Sequence, residues 1–288
     1  MRPIAVFCTL LLPLLSFAAE APPKHSLWSL EGKTNTVYFL GSVHFLSPSE
    51  ELPLAMEQAY DDAEALVMEI DMDDLDPLQM QKATLELGML PPQETLREHL
   101  GAETYALVEA KARELGIEPA MLDRFRPWLA ALTLVQVHLL KMGLDPSSGV
   151  EQRLTKRAIS DAKRIEGLET LEEQLGILAG LPAPQQREFL MYSVEDTERA
   201  TREIDTLLKA WREGNVAALD DLLTEGMEKY PGIYRPLTVE RNRRWISRIE
   251  QLLDDEDDYL VVVGTLHLVG EDSVVKLLEK KGYEVKQH

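Results

Sequence analysis

The sequence predicts an α/β fold, with a central sheet built from the two ends of the chain and a large helical insertion between them. Two observations support this class. Short apolar runs typical of strands cluster before Asp71 and after Asp258. The middle of the chain, about residues 76–234, instead repeats apolar residues at intervals of three and four, as helices do. The halves of the sheet are therefore distant in sequence and must meet in the fold.

The sequence of each end of the chain predicts a set of strands and helices. Along the chain these are two strands around a turn at Gly32, a helix, a third strand, the insertion, and then helix, strand, helix and strand. The predicted ranges are strands 27–31, 36–40 and 65–70 with helix 53–63, then helices 236–253 and 271–281 with strands 259–263 and 283–286. Glycines and prolines at the expected helix ends divide the insertion, and one strand-like piece, 164–168, interrupts it.

The opening sequence MRPIAVFCTLLLPLLSFAAE has the features of a cleavable signal peptide. An apolar stretch covers residues 4–17, and a small-x-small cleavage pattern ends at Ala18. An uncleaved anchor is the alternative, but the stretch is short for a membrane span. We predict a signal peptide at 1–18, cleavage after Ala18, and one domain over 19–288. The protein is then periplasmic or secreted, with no stable membrane span after cleavage.

Charge and cysteine content exclude some classes of function. The formal net charge is −20, which repels phosphate backbones, so nucleic acid is not an expected partner. Cys8 is the single cysteine and lies in the predicted signal peptide. The cleaved chain would therefore be held by core burial and not by disulfides. This composition favours a Gram-negative periplasm.

One phrase occurs twice in the sequence. Gly41-Ser42-Val43-His44 and Gly264-Thr265-Leu266-His267 each follow an apolar strand and place a histidine three residues after a glycine. The carboxyl ends of parallel strands meet at one edge of a sheet, so His44 and His267 are expected to lie together. A single histidine in such a setting is more often a satisfied core residue. The repetition favours a pair of metal ligands.

Two histidines need a third, anionic ligand to hold a divalent ion. Glu69 closes the apolar run ALVMEI, where an unpaired carboxylate would be costly. Glu69 is a candidate either for the third ligand or for the general base. The alternative interpretation is that it is a carboxylate without a chemical role, at a strand end that faces solvent. Arg241 and Asn242 precede the second histidine strand and are candidates to bind a substrate carbonyl and stabilise negative charge.

These motifs together resemble the TraB/GumN (TraB/PrgY/GumN) family. The phrase VVVGTLHLVGEDSVVKLLEKKGYEV resembles its C-terminal signature, and GVEQRLTKRAISDAKRIEGLETLEEQL resembles a central family pattern. Glu151 stands where many members carry Asp, which keeps the charge. The resemblance covers essentially the whole mature chain.

The resemblance implies a fold of the erythromycin-esterase/ChaN-like type and a kinship with the Tiki metalloproteases. Carried to this sequence, it implies a metal site of His44, His267 and Glu69 that prefers Mn²⁺ or Co²⁺, with Zn²⁺ as a further option. Glu69, Arg241 and Asn242 are then the catalytic candidates. The expected function is a periplasmic metal-dependent hydrolase, a metallopeptidase acting on a peptide or protein. The alternative is a non-catalytic protein that binds haem or a peptide, or a regulatory protein, using the same cleft.

Overall fold

The sheet has six strands in the computed structural model, which describes residues 23–224 and 230–288. The predicted signal peptide lies outside the described residues. In chain order the strands are β1 Leu27–Glu31, β2 Thr36–Ser42, β3 Ala65–Ile70, β4 Arg164–Glu169, β5 Tyr259–Gly264 and β6 Lys286–Gln287. Their spatial order is β4-β3-β5-β2-β1-β6.

Four neighbouring strands, β4-β3-β5-β2, run parallel, while β1 and β6 form an antiparallel edge. The predicted α/β class is confirmed, and β5 from the end of the chain lies between β2 and β3 from its beginning. Strand β4 comes from within the helical insertion and pairs with β3 at the opposite edge. The insertion therefore contributes to the sheet as well as to the helices around it.

The helices cover both ends of the chain and most of the insertion. They are α1 Leu54–Asp62, α2 Pro77–Gly88, α3 Leu96–Leu100, α4 Ala102–Glu114, α5 Pro127–Lys141, α6 Val150–Asp161, α7 Leu171–Ala179, α8 Ala183–Arg212, α9 Val216–Thr224, α10 Pro231–Tyr234, α11 Glu240–Leu252 and α12 Val274–Lys280. Among the described residues, none of these helices combines the length and the apolar character that a membrane crossing needs.

Several element boundaries differ from the predicted ones. Strand β2 continues to Ser42, two residues past the predicted end, because it stays paired with β5. The predicted helix 236–253 is part of a longer helical run that begins at Pro231 with α10 and continues through a π-helical turn, Arg235–Val239, into α11. Pro236 has no N–H and so cannot support regular helical hydrogen bonds there. The predicted last strand 283–286 overlaps the observed β6 only at Lys286, because pairing with β1 is limited to Lys286 and Gln287.

The interior contains two apolar clusters. The first surrounds the sheet, and its centre is the fully buried strand segment from Tyr259 to Val263. A strand that is covered on both faces has a continuous apolar sequence, and the apolar run 259–263 predicts a strand of this kind. The second lies among the helices of the insertion and includes Trp128 and Leu190. The insertion thus has a core of its own beside the sheet.

The start of α6 packs tightly against the loop that follows β2. Gly149 caps this helix, and a Cβ at this position would lie 2.2 Å from the backbone oxygen of His44. The next residue, Val150, donates its N–H to the carbonyl of Val43 at 3.1 Å. The absence of a side chain at Gly149 therefore lets α6 approach the histidine loop and hold its backbone.

We predict that Gly149→Ala destabilises the fold by about 1–3 kcal/mol, because the methyl group collides with backbone that cannot rotate away. Gly176→Ala is the matched control, since no atom lies within 4 Å of a Cβ at this helical position. It should raise the free energy of unfolding by about 0.5–1 kcal/mol. Urea unfolding measures both. Equal effects of the two substitutions would show that the close approach at Gly149 has no energetic role.

Candidate functional site

The carboxyl edge of the parallel strands brings three predicted site residues around Gly264. Ser42 pairs with Gly264 across β2 and β5, so the two GxxH phrases lie side by side, and the glycine of the first is offset by one residue from the glycine of the second. A Cβ on Gly264 would lie 3.3 Å from Glu69 Oε1, 3.7 Å from His267 Cδ2 and 3.8 Å from His44 Nε2. The glycine therefore leaves the space that these three side chains share.

His44 is held by a carboxylate that the sequence did not mark as a site residue. Its Nδ1 lies 2.6 Å from Glu151 Oε1, and the Ser42 hydroxyl donates to the same oxygen. The Glu151 carboxylate raises the pKa of His44 to about 9, and the nearby Glu69 carboxylate acts in the same direction. The His44 side chain is 64% accessible, and it lines a cavity of about 510 Å³. Its Nε2 is left without a protein hydrogen bond among the described residues.

His267 is the buried and neutral member of the pair. Arg241 Nη1 lies 3.1 Å from its Nε2, and a guanidinium can only donate, so Nε2 accepts. The ring proton is therefore on Nδ1, which donates to Asn242 Oδ1 at 2.6 Å. Burial is the main reason that the pKa of His267 falls to about 3; the Glu69 carboxylate opposes this shift, and the charges of Arg241 and His44 add to it. The ring also packs on Trp245, with centroids 4.6 Å apart.

Glu69 is ionised although it is almost fully buried. Burial alone would raise the pKa of this carboxyl, but the charges of Arg241 and His44 and the N–H of Gly264, which donates to Oε1 at 2.8 Å, hold the pKa below its ordinary value. Gln174 Nε2 donates to the other oxygen at 3.0 Å.

Arg241 joins two buried carboxylates. Its Nη2 donates to both Glu69 and Glu169, and its Nε donates to Glu169 Oε1 at 2.8 Å. The guanidinium also lies 4.8 Å from the Trp245 ring. The second oxygen of Glu169 has no hydrogen bond among the described residues, and Arg244 Nη2 lies 3.6 Å from it. Arg241 is thus the cation that the two carboxylates share.

The structure brings all five predicted site residues together, but not in the same way. His44, Glu69, Arg241 and His267 line the cavity. Asn242 is fully buried, and its amide bonds to His267 and, at 2.8 Å, to the carbonyl of Asp272. Asn242 therefore orients the histidine ring and does not line the cavity. The catalytic and metal-binding roles of the five residues stay predictions.

Sequence reasoning missed three polar residues of the site, namely Glu151, Glu169 and Gln174. A signal existed for Glu169, because it ends β4 at the edge of the sheet where Glu69 is the penultimate residue of β3. Glu151 lies in the first turn of α6, two residues after its capping glycine, and Gln174 lies in α7. All three residues fall within the central segment that resembles the family pattern, but that resemblance did not assign them to the site.

The donor chemistry fits a divalent metal ion. Both His44 and His267 have Nδ1 on an oxygen acceptor, which is the second interaction that metal-binding histidines usually make. A ligand role would therefore fall to their Nε2 atoms. In the described structure these side chains form no group of three metal ligands, and Arg241 contacts both Glu69 and His267 Nε2.

Sequence comparison agrees with the arrangement of the motifs. A model of the TraB/PrgY/gumN family matches residues 26–287. The chain belongs to this family. The match covers the sheet, the insertion and every residue of the site.

The relatives of this TraB-family chain are distant in sequence. It is 24% identical over 242 residues to the Escherichia coli (strain K12) protein named Uncharacterized protein YbaP, covering 84% of this chain and 87% of that one. It is 23% identical to an Uncharacterized protein of Treponema pallidum (strain Nichols), covering 88% and 80%. It is 22% identical to the Metalloprotease TIKI homolog of Nematostella vectensis, covering 90% and 66%. No solved structure gives a significant match.

We predict that Glu151→Gln lowers the pKa of His44 from about 9 toward its ordinary value near 6.5, because the carboxylate that favours the protonated ring is removed. The measurement is an NMR titration of the His44 ring nitrogens in metal-free protein. In the wild type the ring should stay protonated at neutral pH, and in the variant it should lose its proton there. Glu172→Gln, on an exposed residue of α7, is the control and should leave the titration unchanged.

We predict that Arg241→Met lowers the free energy of unfolding by about 3–5 kcal/mol, because it leaves two buried carboxylates without their cation. Arg244→Met on the same helix is the control. Its side chain is 53% exposed, so the loss should stay within about 0–1 kcal/mol.

Adding Glu169→Gln to Arg241→Met removes one of the unpaired charges and should recover part of the stability. Urea unfolding of the four combinations of these two substitutions gives the coupling energy. Strictly additive losses would mean that Arg241 and Glu169 do not stabilise one another.

Proposed function

We propose that this TraB-family protein is a periplasmic metal-dependent hydrolase that acts on peptides. The observation that carries the proposal is the matched hydrogen bonding of the two histidine rings: each has Nδ1 on an oxygen acceptor, and both rings lie beside Glu69. A relative named as a metalloprotease supports the same reaction class. We further propose that the fold is of the erythromycin-esterase/ChaN-like type and that Mn²⁺ or Co²⁺ is preferred over Zn²⁺.

His44, His267 and Glu69 would hold the ion, which when bound would supply a Lewis acid beside the cavity. The lowered pKa makes Glu69 a weak base at neutral pH, which favours the ligand role over the general-base role. Asn242 would act as a positioning residue, because it fixes the tautomer in which His267 Nε2 is free of a proton.

Arg241 would stabilise negative charge that develops on the substrate carbonyl. It lines the cavity, is ionised at every relevant pH, and lies in a dry environment where its charge is weakly screened. Glu169 holds its Nε, so the guanidinium stays oriented while Nη1 and Nη2 face His267 and Glu69. The same guanidinium would lie against the ion, so we expect its contact with His267 Nε2 to be replaced on metal binding.

We predict that the chelator-treated mature chain binds Mn²⁺ or Co²⁺ at one site and that His44→Ala and His267→Ala each weaken binding at least about 100-fold. Isothermal titration calorimetry measures the affinity. Because His44 must lose its proton to ligate, the affinity at neutral pH should rise about tenfold per pH unit until the pH passes its pKa of about 9.

His99→Ala is the control for this experiment, because His99 pairs with Glu94 and does not line the cavity. It should leave the affinity unchanged. Absence of any binding by Mn²⁺, Co²⁺ and Zn²⁺ would refute the metal site. A Soret band that appears on addition of haem and disappears in His44→Ala would instead support the binding-protein alternative.

A further inference from the structure

The walls of the cavity beside the site are apolar and come from the helical insertion. Helices α5, α7, α8 and α9 and the π-helical turn supply, among others, Leu132, Leu175, Phe189, Leu207, Leu223 and Leu237. Some of these pack with the sheet core and others with the core of the insertion. The cavity therefore lies where the two apolar clusters meet.

The charges that line the cavity belong to the site already described. Among the described lining residues the ionisable ones are His44, Glu69, Arg241 and His267, and they pair with one another or with Glu151, Glu169 and Asn242. The apolar walls thus offer no ionic partner to a charged substrate group, and burying such a group unpaired is costly. The occupant of these walls is uncharged and apolar.

The size of the cavity sets the size of that occupant. An apolar cavity of about 150 Å³ holds one benzene molecule. The volume here is about 510 Å³, which is enough for two large side chains and the backbone between them, and it lies within the roughly 300–1,000 Å³ of ordinary ligand sites. A single side chain would leave much of the space unfilled.

One polar atom at the wall points to a peptide rather than a hydrocarbon chain. Thr238 lines the cavity, is 1% exposed, and its hydroxyl has no hydrogen-bond partner among the described residues. Such an orphan is costly unless a ligand satisfies it. A peptide carries an amide every residue, whereas an acyl chain carries no donor or acceptor along its length. Thr238 belongs to the π-helical turn, a kind of helix distortion frequent at functional sites.

We propose that the cavity selects peptides with two adjacent large apolar side chains, such as Leu-Phe, and that the Thr238 hydroxyl bonds to the peptide backbone between them. This substrate class rests on the proposed hydrolase function, because it assumes that the cleaved bond lies beside His44 and Glu69. The walls bind the two side chains, while the polar cluster faces the scissile carbonyl.

Binding is measured on chelator-treated full-length mature protein, so that the result does not depend on metal or hydrolysis. The probe is N-phenyl-1-naphthylamine, a neutral apolar fluorophore, and it is displaced by acetylated and amidated tetrapeptides. Ala-Leu-Phe-Ala should displace it at a concentration at least about tenfold lower than Ala-Ser-Asn-Ala, because only the first fills the apolar walls. Equal displacement by the two peptides would overturn the proposal.

Two substitutions on α5 locate the binding site. Leu132→Trp narrows the cavity at a residue that is 39% exposed, and Leu140→Trp adds the same bulk to a residue that is 46% exposed and does not line it. Leu132→Trp should weaken binding of the probe and of Ala-Leu-Phe-Ala at least about tenfold, with Leu140→Trp unchanged. Equal behaviour of the two variants would place the binding elsewhere.

Thr238→Val tests the peptide assignment separately, since it keeps the shape and removes the hydroxyl. It should weaken binding of Ala-Leu-Phe-Ala about five- to tenfold, the size of one hydrogen bond, and leave the probe unaffected. Unchanged peptide affinity would overturn the role of Thr238. If the peptide binds as expected but no metal does in the calorimetric experiment, the selectivity stands and the hydrolase function fails.

Discussion

Arg241 brings one guanidinium into contact with Glu69 and Glu169, and each of these carboxylates ends a different strand of the sheet. All three side chains are buried, so none of the charges can be left unpaired without a cost of several kcal/mol. The pairing therefore ties α11 to β3 and β4. Through Nη1 it also contacts His267 on the turn after β5, so one side chain connects four elements at the carboxyl edge.

The two histidines of the repeated phrase have opposite electrostatic surroundings. His44 faces the cavity beside Glu151 and favours the protonated form, whereas His267 is buried against Arg241 and favours the neutral form. The repetition in sequence thus does not carry over to equivalent sites. Under the proposed function His267 must give up its contact with Arg241, whereas His44 must release a proton, which makes binding dependent on pH and on Glu151.

The helical insertion contributes residues both to the polar cluster of the site and to the walls of the cavity. It supplies β4 to the sheet, Glu151 and Glu169 to the polar cluster, and most of the apolar wall of the cavity. Chemistry and selectivity would then come from different parts of the chain: the ends provide the GxxH histidines and Arg241, and the insertion determines what fits beside them. Substitutions in the wall can therefore change substrate preference while leaving the polar cluster intact.

The sequence by itself determined the features that depend on local pattern. The strands 27–31 and 65–70 have the predicted bounds, and the paired GxxH phrases indicated one shared edge, because strand burial and glycine breaks are visible in neighbouring residues. Only the tertiary structure selected Glu151 and Glu169 among the many acidic residues. Their partners, His44 and Arg241, lie more than 70 residues away along the chain, and a carboxylate that will pair in the interior looks, in sequence, like one that will face water.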